Sequence, residues 1–170
     1  MSSPTRWIRE GCIAGLIAFA AVAVFYALID IAAGRGALFT VNLLGQALLG
    51  SPVEAAARAG TAAVDAVAVV VYSVLHLAAA IGIGLLVARL VREAELRPMQ
   101  AQVALLFIVA GFAGTIALVG ALTAPLRANL PWWSIIAANS LAVLLAGLVL
   151  IRRHPGFLEE MTVNPRYPAA

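Results

Sequence analysis

The 170-residue chain contains no lysine, one cysteine and two histidines, and only 11% of it is charged. Each shortage excludes something. A soluble domain is about 25% charged and about 45–50% apolar. Here 64% is apolar, with a mean hydropathy of +1.02, which leaves too little polar surface to clothe a body in water. The lone Cys12 rules out an intrachain disulfide. Its setting, Arg9-Glu10-Gly11-Cys12, places charges where a lipid-attachment site needs an apolar run, so Cys12 reads as a small packing residue. No P-loop, HExxH, CxxC or Ser–His–Asp pattern is present, and the chain is expected not to be an enzyme. The net charge of +3 comes wholly from arginine. In a membrane protein such an excess belongs to loops facing anionic lipid, not to nucleic-acid binding.

What is abundant is long apolar sequence. Four runs, at about 8–32, 61–90, 99–123 and 132–151, each reach the roughly 20 residues needed to cross a hydrocarbon core of about 30 Å. They are rich in Ala and Leu without a two-residue alternation, which argues against strands. The connections 92–98 and 124–131 are short, and short connections place consecutive helices antiparallel. The expectation is an all-α membrane protein, a single four-span antiparallel bundle over 1–155 with a polar cytoplasmic tail at 156–170. The N-terminal run is too long for the apolar core of a signal peptide, and Ala21-Val22-Ala23 falls inside it, so it reads as a retained anchor.

Arginine placement sets the expected orientation. With the N-terminus inside, Arg6, Arg9, Arg89, Arg92, Arg97, Arg152, Arg153 and Arg166 are cytoplasmic, while Arg35, Arg58 and Arg127 are outside. Trp7 then marks the inner interface, and Trp132 and Trp133 the outer one. Together with Arg152 and Arg153 they read as lipid and interface anchors.

The first outer loop is unusual. After a Gly34-Arg35-Gly36 stop, the segment at about 38–50 is apolar but too short to span, and reads as an interfacial or re-entrant helix. Ser51-Pro52-Val53-Glu54 then has the form of a helix start. Small residues recur four apart at Gly11/Gly15, Ala80/Gly84, Ala110/Gly114 and Ala138/Ala142/Ala146, a spacing that lets membrane helices approach closely. The pattern does not say which faces meet, or whether they meet another subunit.

Few residues offer chemistry. His76 lies near the middle of the second span, where ionisable groups are costly. It reads either as a histidine hydrogen-bonded within the bundle, with Tyr72 one turn away, or as an axial ligand to haem or chlorophyll, or as a proton relay. His154 lies past the end of the fourth span, too far along the membrane normal to share an iron with His76. Asp30, Arg35 and Asp65 form an expected outer charged cluster with Arg35 bridging two carboxylates, read as interface anchoring or as an ion entrance. Two carboxylates without histidine or thiolate partners make a poor transition-metal site, and no metal is expected. Tyr26, Tyr72, Thr115 and Asn139 form an expected polar layer, read as interhelical glue or as a pocket lining.

The motifs Gly11/Gly15, Phe25-Tyr26-x-Leu28-x-Asp30, Gly34-Arg35, Leu43-Leu44-Gly45, Tyr72 with His76, and Asn139 through Arg152-Arg153-His154-Pro155 resemble a family of small, uncharacterised bacterial four-span integral membrane proteins. The resemblance implies the fold and transfers no catalytic residue. The expected location is the bacterial inner (cytoplasmic) membrane with both termini inside. Three functions are expected as alternatives. The first is a non-catalytic accessory subunit of a larger membrane complex, bioenergetic complexes included, with lipids and other membrane subunits or further copies of itself as partners. The second is a haem- or chlorophyll-binding protein ligating through His76, and the third a small oligomeric transporter or channel.

Overall fold

A computed structural model describes residues 6–51, 63–97 and 101–154. Among these there is no strand. The helices are α1 (Arg6–Ala32), α2 (Phe39–Leu48), α3 (Ala66–Leu96), α4 (Ala101–Leu122) and α5 (Trp132–Arg153), with a 3₁₀ turn at Ala124–Leu126. Four of them, α1, α3, α4 and α5, are long and apolar enough to cross a membrane, as in a multi-pass membrane protein. The shorter α2 coincides with the apolar, non-spanning segment expected at 38–50. The helix start expected at 51–54 falls almost wholly outside the described residues, as does the tail at 156–170.

Two boundaries differ from the sequence reading, each for a local reason. α3 begins at Ala66 rather than near 61, because the Asp65 side chain accepts hydrogen bonds from Val67 N (2.9 Å) and Ala68 N (3.2 Å) and so fixes the N-cap. At its other end α3 runs on to Leu96 instead of stopping near 90. The charged stretch from Arg92 onward reads as a loop, yet Arg and Glu are good helix formers. Val91 and Ala94 also remain buried against Ala104 of α4. Pro98 sets the limit, since the residue before a proline is disfavoured in helical conformation, and Arg97 is the C-cap.

α1 is the axis of the packing, with its largest contacts to α3 and α5, while α4 touches those two more lightly. Glycine makes the α1–α3 contact possible. A Cβ on Gly11 would stand 2.7 Å from Leu85 Cα, and one on Gly15 would stand 2.6 Å from the Ala80 carbonyl oxygen. Both are closer than real Cβ atoms come, so the two backbones touch. Going up four residues on α1 goes down about as many on α3. The small pairs Gly11/Gly15 and Ala80/Gly84 therefore meet each other. Lipid tails are as apolar as leucine, so this close packing rather than apolar burial holds such helices together. Ala138 and Ala142 of α5 are buried, and Ala146 packs on the Ala14, Ala88 and Leu150 cluster shared by α1, α3 and α5. The Ala110/Gly114 face of α4 is different: a Cβ on Gly111 or Gly114 would meet nothing within 4 Å.

α2 lies across α1 and α3 at the end of the bundle where α3 begins. The chain reaches it through Gly34 (φ 70°) and Gly36 (φ 84°), a left-handed backbone that costs glycine little. Asn42, fully buried, then ties α2 to the start of α3. Its Nδ2 donates to Ala63 O (2.9 Å) and its Oδ1 accepts from Asp65 N (2.8 Å). Gln46 Nε2 adds a second bond to Ala63 O at 2.9 Å. Phe39 and Leu43 pack on Leu126 and Leu130 of the α4–α5 connection.

Candidate functional site

The two features that stood out in the sequence, the apolar outer segment and the mid-span histidine, line one cavity. It has a volume of about 330 Å³ and lies between α1, α2 and α3. Phe19 and Val22 of α1 and Val69 of α3 form its apolar walls, and Val41 and Leu44 of α2 cover it. Tyr26, Tyr72, Ser73 and His76 supply polar groups to it, and Asp30 and Thr40 line its edge. Helical spacing explains Tyr72, Ser73 and His76, since residues three and four apart share a helix face. His76 lies ten residues into α3, so at 1.5 Å per residue it is about 15 Å below the start of that helix.

The imidazole of His76 sits against the Phe19 ring (centroids 5.1 Å apart) and the Tyr72 ring (5.8 Å). These are its neighbours, and both contacts are ring to ring. Among the described residues His76, Tyr72 and Ser73 engage no hydrogen-bond partner. The expectation of a histidine hydrogen-bonded within the bundle is therefore not what the structure holds. A neutral imidazole carries one N–H donor and one acceptor nitrogen, and Tyr72 and Ser73 each carry a hydroxyl. Their polar capacity is open to whatever occupies the cavity.

Of the expected polar layer, Tyr26 and Tyr72 meet at this cavity, while Thr115 and Asn139 do not join them. Thr115 Oγ1 donates to Gly111 O (2.8 Å) and Asn139 Nδ2 to Ile135 O (2.8 Å), each one turn back on its own helix. A side chain that short reaches its own i−4 carbonyl more easily than a neighbouring helix. Across helices, Tyr26 pairs with Ser134 of α5 over a long 3.4 Å contact.

The outer charged cluster forms with different membership. Asp30, fully buried, accepts from Arg35 Nη2 (2.9 Å), Thr40 N (2.7 Å) and Thr40 Oγ1 (2.9 Å). Arg35 also donates from Nη1 to Asn129 Oδ1 (3.0 Å) and lies over the Phe39 ring at 4.7 Å. Asp65 is not part of it, being committed to the N-cap of α3. Arg35 thus holds one carboxylate, not two, and the cluster locks α2 and the α4–α5 connection to the end of α1. Its carboxylate is fully satisfied, which suits a structural fastening better than an ion entrance.

The interface residues divide. Trp133 is 60% exposed, whereas Trp132 carries the Arg127 guanidinium 4.3 Å above its ring. Trp7 lines a second cavity, of about 210 Å³, at the opposite end of the bundle from α2. Here sits the largest arrangement that the sequence reading missed. His154, half a turn past α5, is buried with its Nδ1 2.7 Å from Glu95 Oε2 of α3 and its Nε2 2.9 Å from Glu10 Oε2 of α1. Arg6 holds the other oxygen of Glu10 at 3.0 Å. The overlooked signal was Glu10, a carboxylate in the second turn of an apolar helix, which needs a partner to be buried. The 19 residues from His76 to Glu95 span about 28 Å of helix, so the two histidines are too far apart to share one iron, as the sequence suggested.

Among the described residues no cluster of His, Cys, Asp or Glu is arranged to hold a metal ion. The resemblance to small bacterial four-span proteins rests on its motifs alone, for no protein-family model matches the chain and no curated protein or solved structure is similar to it.

Proposed function

We propose that the chain is an antiparallel four-span bundle of the bacterial inner membrane, and that it binds a lipid-soluble small molecule with a carbonyl or hydroxyl head group. The head group would rest against His76, Tyr72 and Ser73, and the apolar remainder would lie along Phe19 and Val22 or in the surrounding lipid. The observation that carries this reading is the unpartnered His76 on the wall of the cavity beneath α2. Polar groups left without partners in an apolar setting cost free energy, and a head group that accepts and donates there removes that cost. The volume of about 330 Å³ is at the lower end of small-molecule sites. It suits a single ring better than the macrocycle of a haem or chlorophyll, so His76 serves as a hydrogen-bond partner rather than as an axial ligand. The proposed function is binding, with His76, Tyr72 and Ser73 as hydrogen-bond partners.

Thermal unfolding in detergent tests this reading. A ligand that binds only the folded state at 100 times its Kd adds about 2.7 kcal/mol. With 1,4-naphthoquinone as a short carbonyl-bearing probe, the wild type is expected to gain several degrees and the His76→Phe variant none. Equal gains in both, or no gain in the wild type with any carbonyl- or hydroxyl-bearing ring probe, would remove the reading.

A second reading, association with another membrane subunit or a second copy, is favoured by one observation. The Ala110/Gly114 face of α4 has the spacing used elsewhere for close packing, yet none of the described residues covers Gly111 or Gly114. Gly111→Leu with Gly114→Leu tests it through the size of the assembly extracted in mild detergent. A smaller assembly supports association through α4, and an unchanged one removes it.

A further inference from the structure

At the end of the bundle opposite α2, the start of α1 meets the ends of α3 and α5 around the 210 Å³ cavity. Arg6, Arg92 and Arg153, one from each of the three helices, line it together with Trp7, Glu10, Glu95 and His154. The carboxylates are already engaged. Glu10 is held by Arg6 and His154, and Glu95 by His154. Arg92 and Arg153, by contrast, have no ion pair or hydrogen-bond partner among the described residues. Two guanidiniums therefore line one cavity without a partner among the described residues. Each presents a planar fork of N–H donors whose geometry matches a phosphate.

The position of this cavity says which phosphate. It lies at the first turns of α1 and the last turns of α3 and α5, three membrane-length helices, beside Trp7, a residue type that settles at the headgroup level. Most of the arginines of the chain belong to this end, which places it at the leaflet rich in anionic lipid. We propose that this cavity is a binding site for the phosphate of an anionic phospholipid headgroup, clamped between Arg92 and Arg153 with the glycerol backbone against Trp7. The His154–Glu10–Glu95 contact forms its floor. It removes the two carboxylates from competition and holds the three helix ends at a fixed spacing.

The site is independent of the His76 cavity, so either proposal can fail alone. Binding is measured by native mass spectrometry and by thermal unfolding of the full chain in neutral detergent, with added phosphatidylglycerol or phosphatidylcholine. Phosphatidylglycerol is expected to bind and to raise the unfolding midpoint more than phosphatidylcholine does. The Arg92→Gln/Arg153→Gln variant should lose about tenfold or more in affinity, since it removes two charge-assisted contacts. The Arg9→Gln/Arg89→Gln variant has the same net charge but its substitutions lie outside the cavity, and it should stay within about twofold of wild type, as expected for screened surface charges. Equal loss in both variants would mean non-specific attraction and would overturn the proposal. So would equal binding of the two lipids. If millimolar inorganic phosphate alone reproduces the stabilisation, the site takes free phosphate and the assignment to lipid fails.

Discussion

Nε2 of His154 stands 2.9 Å from Oε2 of Glu10, which precedes it by 144 positions, and this contact fastens the last described residue of the chain to the second turn of the first helix. Nδ1 of the same ring reaches Glu95 at 2.7 Å, so one imidazole ties together α1, α3 and α5. An imidazole satisfies two carboxylates at once when both nitrogens carry a hydrogen.

Loss of this contact should be measurable as coupling. His154→Gln and Glu10→Gln are each expected to lower the unfolding midpoint in detergent. The double variant should be more stable than the sum of the single effects implies, by about 0.5–3 kcal/mol, the range seen for residues in direct contact. Strict additivity in a double-mutant cycle would mean that the pair does not interact.

The carboxylates Asp30 and Asp65 should behave differently. Asp30→Ala leaves the Arg35 guanidinium and the Thr40 N–H without their buried partner, and removing one member of a buried ion pair costs about 3–5 kcal/mol. Asp65→Ala removes an N-cap at an exposed position, which costs about 0.5–2 kcal/mol. Chemical unfolding of the two variants side by side checks the order. Equal losses would restore the expectation of one shared cluster.

Glycine substitutions should separate the packed faces from the open one. Gly15→Leu drives a side chain into the α3 backbone at Ala80 and should prevent the native α1–α3 approach, with a loss above the roughly 1–3 kcal/mol usual for overpacking. Gly114→Leu meets nothing and should leave the unfolding midpoint of the isolated chain unchanged or slightly raised, since leucine is the better helix former. Circular dichroism melts of the two variants decide.

His76 itself should be dispensable for folding. It has no hydrogen-bond partner to lose, so His76→Phe is expected to leave the midpoint unchanged or to raise it. A fall of several degrees would mean that the histidine belongs to the packing of the bundle, and the proposed ligand site would lose its main support.

The four long helices were legible because span length and hydropathy are set by the bilayer, not by tertiary detail. α2 was legible too, since an apolar run of about ten residues after Gly34-Arg35-Gly36 has few other places to go. The partners were not. Thr115 and Asn139 sit where a polar layer would be expected, but the rotation of each helix decides whether a side chain points at a neighbour or back at its own carbonyl. Asp65 shares an end of the bundle with Arg35, yet a local N-cap bond two residues away outcompetes a distant ion pair. Glu10 and His154 looked like ordinary flanking charges because their distance in sequence hides the meeting of three helix ends. The cavity under α2 needed both: the sequence shows its lid and its histidine, and only the packing of α1 on α3 brings them together.

The most direct measurement is the composition of what the protein carries out of its native membrane. Wild-type and His76→Phe chains, purified in mild detergent, are extracted with organic solvent and the extracts compared by mass spectrometry. A lipid-soluble carbonyl- or hydroxyl-bearing compound in stoichiometric amount in the wild type, and its loss from a His76→Phe chain that still folds, is the expected result. An extract containing only bulk phospholipid, or the same compound retained in equal amount by both chains, would contradict a binding role for the His76 cavity.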